Sequence, residues 1–382
     1  MNVISPLPWA PLTGATRDVA MEVLLRGPLS RSELARRLDL SPASLTRLTK
    51  PLLDGGLLVE AQTPSPGRAG RPSRPLDIVP DTHHIVGVNL TGETATAVIT
   101  TLRAEIVASS QAPLPSREPT AIVDTIRDLT TELSQQIPNM SGLGVSLGGH
   151  VKDHQIVTRA PFLQWTTEVP LAAMLEQALE APAVIDNDLI ALTRAEDWFG
   201  IGRECDHFAV ITIGASVGYG LVVHNQIVDS PDAGVGLVGH YPLNPLGPPC
   251  ADGHRGCASA MLSIPSICYA VSAGLARDVD YDQCLDLAEQ GDAVAGSIIG
   301  DAGRALGRLI AAVANLTMAK KILITGEGSR LAEVANDAIH DGIQRDRDPR
   351  ASHVEFDIQP VDFRNYARGA AVAAIQAFAF GT

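Results

Sequence analysis

Between Asp232 and Cys257 the chain reads DAGVGLVGHYPLNPLGPPCADGHRGC. A Gly-His pair ending at His240 is followed by Cys250 and Cys257, with Asp252 and His254 between them. Thiolates and imidazoles gathered on a Gly/Pro-rich loop are the donor set of a zinc site. The other reading is a surface loop that carries two unrelated thiols. A second polar group stands in APAVIDNDLI, where Val184 and Ile185 close an apolar strand and Asp186, Asn187 and Asp188 follow. Asn187 and Asp188 begin a helix, which puts an amide and a carboxylate at an exposed edge. Such a pair grips adjacent hydroxyls or supplies a general base to a hydroxyl nucleophile; alternatively it only caps the helix.

The elements that carry these residues divide into a short helical head and a long α/β body. In the head, RDVAMEVLL (17–25) has helical apolar spacing and stops at Gly27-Pro28. Ser30 and Glu33 form an S-x-x-E capping box that opens a second short helix, and Ser41 before Pro42 opens a third. On that third helix Leu45, Leu48 and Leu52 share one face, leaving Ala43, Ser44, Thr46, Arg47 and Lys50 on the other. Two short helices, a tight turn and a helix with a small, polar, basic face make a helix-turn-helix. Ser41 and Ser44 stand where hydroxyls reach phosphates, and Ala43, Thr46 and Arg47 where side chains reach base edges. A short strand, the stretch PSPGRAGRPSRPLDIV and a returning strand at Leu76 to Val79 make a wing. Its Arg68, Arg71 and Arg74 recur every third residue among Gly and Pro, a cationic arm suited to a narrow minor groove.

Charge supports the division. The chain of 382 residues carries a net charge of −14, yet residues 1–80 hold ten Arg/Lys against seven Asp/Glu. The head is therefore +3 and the remainder −17, so only the head is suited to nucleic acid. No apolar run reaches the roughly 20 residues needed to span a bilayer. Five cysteines in a long chain argue against a disulfide scaffold and for a reducing cytoplasm.

In the body, IVGVNL, TATAVITTL and EIVASSQAPL form a three-strand meander, followed by a helix from Ala121 to Ile137 and strand GLGVSLGG. A helix at 171–179, strand AVIDND and a helix at 189–198 complete the unit. The pattern restarts with FAVITIGAS, YGLVVHN and QIVDS, and later with a helix at 294–318, strand KILITG and a terminal helix at 366–379. A unit that occurs twice is an internal duplication, which implies two α/β lobes facing across a cleft. Gly214 to Gly220 suits a hairpin or phosphate loop, and Gly326-Glu327-Gly328 a strand-to-helix turn.

Together these residues resemble the ROK family (repressors, open reading frames and kinases) in its winged-helix repressor branch, similar to xylose and N-acetylglucosamine repressors. The resemblance spans roughly residues 15 to 380. It rests on the helix-turn-helix, GRPSRPL, IVGVNL, VIDNDLIAL, ITIGASVGYGLVV, GLVGH, the Cys250–Cys257 loop and ILITGEGS. It implies a winged helix-turn-helix over 1–80 and a two-lobed actin/hexokinase-like (ribonuclease H-like) domain. The first lobe is 81–190, with helix 366–379 packing back onto it, and the second is 191–365. It also implies a sugar or sugar-derivative effector, a structural zinc, and a homo-oligomer, dimer or tetramer, that presents its heads to a palindromic operator. Asp188 matches the family's catalytic base, Asn187 its sugar-binding Asn, and His240 the histidine shared by zinc and sugar.

Several departures accompany the match. The family's kinases open with D-x-G-G-T; here the stretch is Asn89-Leu90-Thr91-Gly92-Glu93, an amide and a carboxylate where a phosphate site needs donors and cations. ATP binding is therefore not expected, and Asp188 is expected to bind ligand without catalysing. Leu237 and Ser259 stand where the family has sugar-binding Glu residues. In the pattern C-x-C-G-x-x-G-C the middle Cys is Asp252, so zinc would rest on His240, Cys250, Cys257 and either Asp252 or His254. The reading is a cytoplasmic, sugar-controlled repressor of carbohydrate genes. An ATP-dependent sugar kinase, or a DNA-binding dimer with a vestigial ligand site, is the alternative.

Overall fold

The computed structural model describes Leu7, residues 11–61, 74–79, 83–137, 140–230, Asp232 and residues 236–381. It forms two compact units, Met1–Phe199 with Phe363–Thr382, and Gly200–Asp362.

The first unit begins with three helices, α1 (Gly14–Arg26), α2 (Arg31–Arg37) and α3 (Pro42–Asp54). Ser30 Oγ accepts from Glu33 N and Ser41 Oγ from Ser44 N, satisfying a donor that the first helical turn leaves free. The expected capping box at Ser30 is only half formed, because Glu33 Oε1 pairs with Arg37. Strands β1 (Leu58–Glu60) and β2 (Leu76–Ile78) pair antiparallel as the base of the wing. Arg68 and Arg71 lie outside the described residues.

There follow β3 (His84–Leu90), β4 (Thr94–Thr100), β5 (Ile106–Pro113), α4 (Pro119–Ser134), β6 (Met140–Leu147), a hairpin of β7 (His150–Lys152) and β8 (Ile156–Arg159), α5 (Leu171–Leu179), β9 (Ala183–Asn187) and α6 (Asp188–Phe199). The five long strands form one sheet in the order β5-β4-β3-β6-β9, parallel between β3, β6 and β9. Strands β3 and β6 are buried along their whole length, the pattern of a sheet covered on both faces. One cover is α13 (Phe363–Ile375), from the far end of the chain. It lies so close that a Cβ on Gly144 would stand 1.9 Å from Ala370 O, so the strand needs glycine there.

The sequence boundary at residue 80 marks a change of pattern and not a break in packing. Val19, Val23, Leu24, Leu45 and Leu52 of the head share one apolar cluster with Ile85, Leu102, Trp198, Val372 and Phe380. Helix α6, which the sequence boundary at 190 divides, lies entirely in the first unit.

In the second unit, β10 (His207–Ile213), β11 (Val217–Val223) and β12 (Gln226–Ile227) form the repeated meander. Helices α7 (Ala258–Leu262), α8 (Ile264–Leu275), α9 (Tyr281–Glu289) and α10 (Ala293–Thr317) come next, then β13 (Lys321–Thr325), α11 (Arg330–Val334), α12 (Asn336–Asp346) and β14 (Glu355–Ile358). The sheet order β12-β11-β10-β13-β14 repeats that of the first unit strand for strand. Duplication read from the sequence is thus present as topology.

Candidate functional site

In the second unit the loop 240–257 folds its donor atoms onto one point. Leu237–His240 is a single turn of 3-10 helix that ends on the histidine. A tight turn from Cys250 to Gly253 returns the chain, with Cys250 N–H donating to His254 O at 2.8 Å and Gly253, at φ +85°, supplying a left-handed step. His240 Nδ1 lies 3.8 Å from Cys250 Sγ, 4.0 Å from Cys257 Sγ and 3.1 Å from His254 Nδ1. Cys250 Sγ and His254 Nδ1 are 3.6 Å apart. With metal–sulfur and metal–nitrogen bonds of about 2.3 and 2.0 Å, tetrahedral ligands sit about 3.3 Å apart for two nitrogens and about 3.6 Å for nitrogen and sulfur. The cluster has those spacings within a few tenths of an ångström. Asp252 is elsewhere: its Oδ2 meets His240 Nε2 at 3.3 Å, on the ring nitrogen turned away from the sulfurs. Burial pushes the Cys250 thiol up, but the N–H groups of Asp252 and His254 and the His254 side chain outweigh it, bringing Cys250 down to about 6. Burial raises Cys257. His240, Cys250 and Cys257 can hold a metal ion, and the chemistry of two sulfurs with imidazole suits a soft divalent one.

In the first unit, Asn187 and Asp188 end β9 and open α6. Their duties differ. Asn187 is buried and its amide is committed: Oδ1 accepts from Leu189 N and Ile190 N, and Nδ2 donates to Gly149 O at 2.9 Å. It caps the helix and ties it to the end of β6, which leaves little of it for a ligand. Asp188 uses only Oδ1, which accepts from Leu189 N at 2.8 Å. Burial lifts its carboxyl to about 6, against the pull of the Leu189 N–H. A half-shielded carboxylate with one oxygen uncommitted is suited to accept from a ligand hydroxyl or to take its proton.

The phosphate-loop position is closed. Asn89 is fully buried and donates to Ser146 Oγ at 3.1 Å, inside the sheet, while Glu93 is exposed at the tip of the β3–β4 hairpin.

The third candidate surface is α3. Ala43, Thr46, Arg47 and Lys50 are exposed, and among the described residues Arg47 and Lys50 make no ion pair. Ser41 and Ser44 bond to each other at 3.0 Å as part of the cap, and Thr46 Oγ1 donates to Pro42 O. Arg74 is not free: it pairs with Glu60, which Arg31 also holds at 2.8 Å, so the wing base carries a local ion-pair cluster.

Two arginines that sequence reading passes over join head, sheet and α6. Arg103, in the β4–β5 turn, donates to Leu24 O at 3.1 Å and Val23 O at 3.2 Å on α1, and pairs with Asp77 of the wing. Arg368 of α13 donates to Ala104 O in that same turn at 2.8 Å and to Phe199 O at the end of α6 at 3.3 Å, with Glu196 at 3.7 Å. Their only sequence signal was arginine in otherwise apolar stretches.

The chain is 25% identical over 364 residues to the DNA-binding transcriptional repressor Mlc of Escherichia coli (strain K12), covering 92% of this chain and 89% of that protein. It is 28% identical over 331 residues to the DNA-binding transcriptional dual regulator NagC of the same strain, covering 82% and 80%. Among solved structures it superposes on a ROK family transcriptional regulator, a homologue of E. coli Mlc, with TM-score 0.80 and 24% identity over 95% of each chain. A ROK family glucokinase from Streptomyces griseus, solved with glucose and AMPPNP, matches at TM-score 0.64 and 24% identity, over 77% of this chain and 99% of that one. The model of the ROK family matches residues 85–377, and the chain belongs to the ROK family.

Proposed function

We propose that the protein is a cytoplasmic, sugar-responsive DNA-binding repressor of carbohydrate genes. The observation that carries this is the head: a helix-turn-helix with exposed Arg47 and Lys50 that, among the described residues, make no ion pair, sharing one core with the sheet whose strand β9 leads into Asp188. The names of its relatives, among them N-acetylglucosamine and xylose repressors, support it. The protein acts as a homo-oligomer in which paired copies of α3 meet the two halves of a palindromic operator. A sugar hydroxyl donates to Asp188, whose place at the start of α6 is fixed by the Asn187 cap. Occupancy at the start of α6 reaches the head through Arg368 and Arg103 as a shift between two populations. Zinc sits on His240, Cys250, Cys257 and His254, with Asp252 on His240 Nε2 as the carboxylate that orients a ligating imidazole. It supplies loop rigidity.

A kinase reading is kept alive by Asp188 and by the fold shared with glucokinase. Buried Asn89 and exposed Glu93 count against it, because they put an amide and a carboxylate where a phosphate tail needs donors and cations, and the nearby Arg117 donates to Gly92 O. One experiment separates the two. Fragments of the host genome are selected on the purified protein, and the bound site is titrated by gel shift with D-glucose, N-acetyl-D-glucosamine and D-xylose. Sequence-selective binding that one sugar weakens is expected. Binding without sequence preference, together with sugar-dependent ADP release from ATP, would overturn the proposal.

A further inference from the structure

Phe162 is the one exposed aromatic side chain among the described residues of the first unit, with 49% of its surface in water. It does not sit on a loose loop. Ala160 and Trp165 exchange both backbone hydrogen bonds at 3.0 Å, Leu163 and Gln164 close tight turns onto Ala160 and Pro161, and Trp165 Nε1 donates to Arg117 O at 2.6 Å. The backbone of Phe162 rests on Gly92 of the β3–β4 hairpin, where an added Cβ would stand 3.1 Å from Phe162 O. Its ring lies across Gly148, at the end of β6. A Cβ there would be 2.9 and 3.1 Å from ring atoms Cδ2 and Cε2, and 3.4 Å from Asp188 Oδ2. The bare glycine thus lets an aromatic ring and the uncommitted oxygen of Asp188 flank a single point. A rigidly held, half-wet ring beside a carboxylate is a surface with one apolar and one hydrogen-bonding component.

We propose that Phe162 is a stacking platform that selects neutral pyranoses at the Asp188 site. A pyranose has the matching anatomy, since its axial C–H groups make an apolar face and its equatorial hydroxyls point outward to an acceptor. An acyclic polyol has the hydroxyls without the rigid face. The proposal rests on the sugar-site reading of Asp188 given above, and the test separates the two.

Full-length protein is titrated calorimetrically with D-glucose, N-acetyl-D-glucosamine, D-xylose and the open-chain polyol D-glucitol. The variants are F162A, F162L, F162W and D188N, each checked for a cooperative melting transition of the first unit. At least one pyranose binds the wild type and D-glucitol does not. Phe162→Ala and Phe162→Leu each raise Kd about tenfold, a loss of the order one aromatic contact supplies, while Phe162→Trp stays within about twofold. Asp188→Asn abolishes binding. If Asp188→Asn abolishes binding but Phe162→Ala or Phe162→Leu binds like the wild type, the site stands and the platform is refuted. D-Glucitol binding as tightly as the pyranoses also refutes it. If no sugar binds the wild type, or Asp188→Asn changes nothing, the site reading falls and the platform with it.

Discussion

Replacing Asp188 by Asn should make the fold more stable at neutral pH while removing its ligand response. Burial raises the carboxyl from 3.8 to about 6, opposed by the Leu189 N–H. A proton is therefore held more tightly in the folded protein than in the unfolded chain. The stability that this proton contributes is fully present below about pH 4 and is lost as pH rises through about 6. At neutral pH the wild type bears that cost in full. Two pKa units correspond to roughly 3 kcal/mol as an upper bound. The side chain is only half shielded, so solvent reduces the gain to about 1–2 kcal/mol. An Asn at 188 keeps an oxygen for the 2.8 Å bond from Leu189 N, so the cap is not lost. For the first unit a gain of that size raises the melting temperature by about 3–6 °C. The assay is differential scanning calorimetry of wild type and D188N from about pH 7.5 down to about pH 4.5. The gain should shrink as pH falls below about 6. A variant that melts at or below the wild type at neutral pH, or a gain that does not change with pH, refutes the reasoning. Stability given up at a carboxylate is the expected mark of a binding residue.

Two further outcomes follow from the same geometry. H254A should lose stoichiometric zinc by mass spectrometry, and its cobalt-substituted form should show an altered visible spectrum. D252A should keep the metal with about 10–100-fold weaker affinity, and the reverse ranking would return the fourth ligand to Asp252. R368A and R103A should still bind sugar by calorimetry, yet the sugar should no longer shift operator affinity; each removal of a part-buried charged bond costs about 1–3 kcal/mol of stability. A sugar response of wild-type size in R368A would rule out the Arg368 route.

Features whose cause is local could be read directly. Ser30 and Ser41 start helices through bonds that span three residues, and Pro42 through its fixed backbone angle at the first helical position, so the head was legible almost residue by residue. The two meanders announced themselves by strand periodicity, and the equal strand orders confirm the repeat. Helices α7, α8, α9 and α12 were not assigned. The Asp280–Gln283 capping box was a usable signal for α9. Helix α8 offered a Ser263–Pro265 start, but it is apolar with only Ile267 and Val271 buried, and so lacks the one-sided pattern that marks a surface helix.

Roles within the sites were a different matter. The sequence placed Asn187 beside Asp188 and Asp252 near His254, and chemistry permits each of the four to bind something. Only the fold spends Asn187 on Gly149 O and the helix start, turns Asp252 to the far nitrogen of His240, and brings His254 to the Cys250 sulfur. Likewise Phe162, Gly148 and Asp188 meet at one point only because β6 and the loop after β8 converge there. Residue type and short spacing determined which groups were available. Which groups face one another was decided by contacts between distant segments, whose geometry no local periodicity encodes.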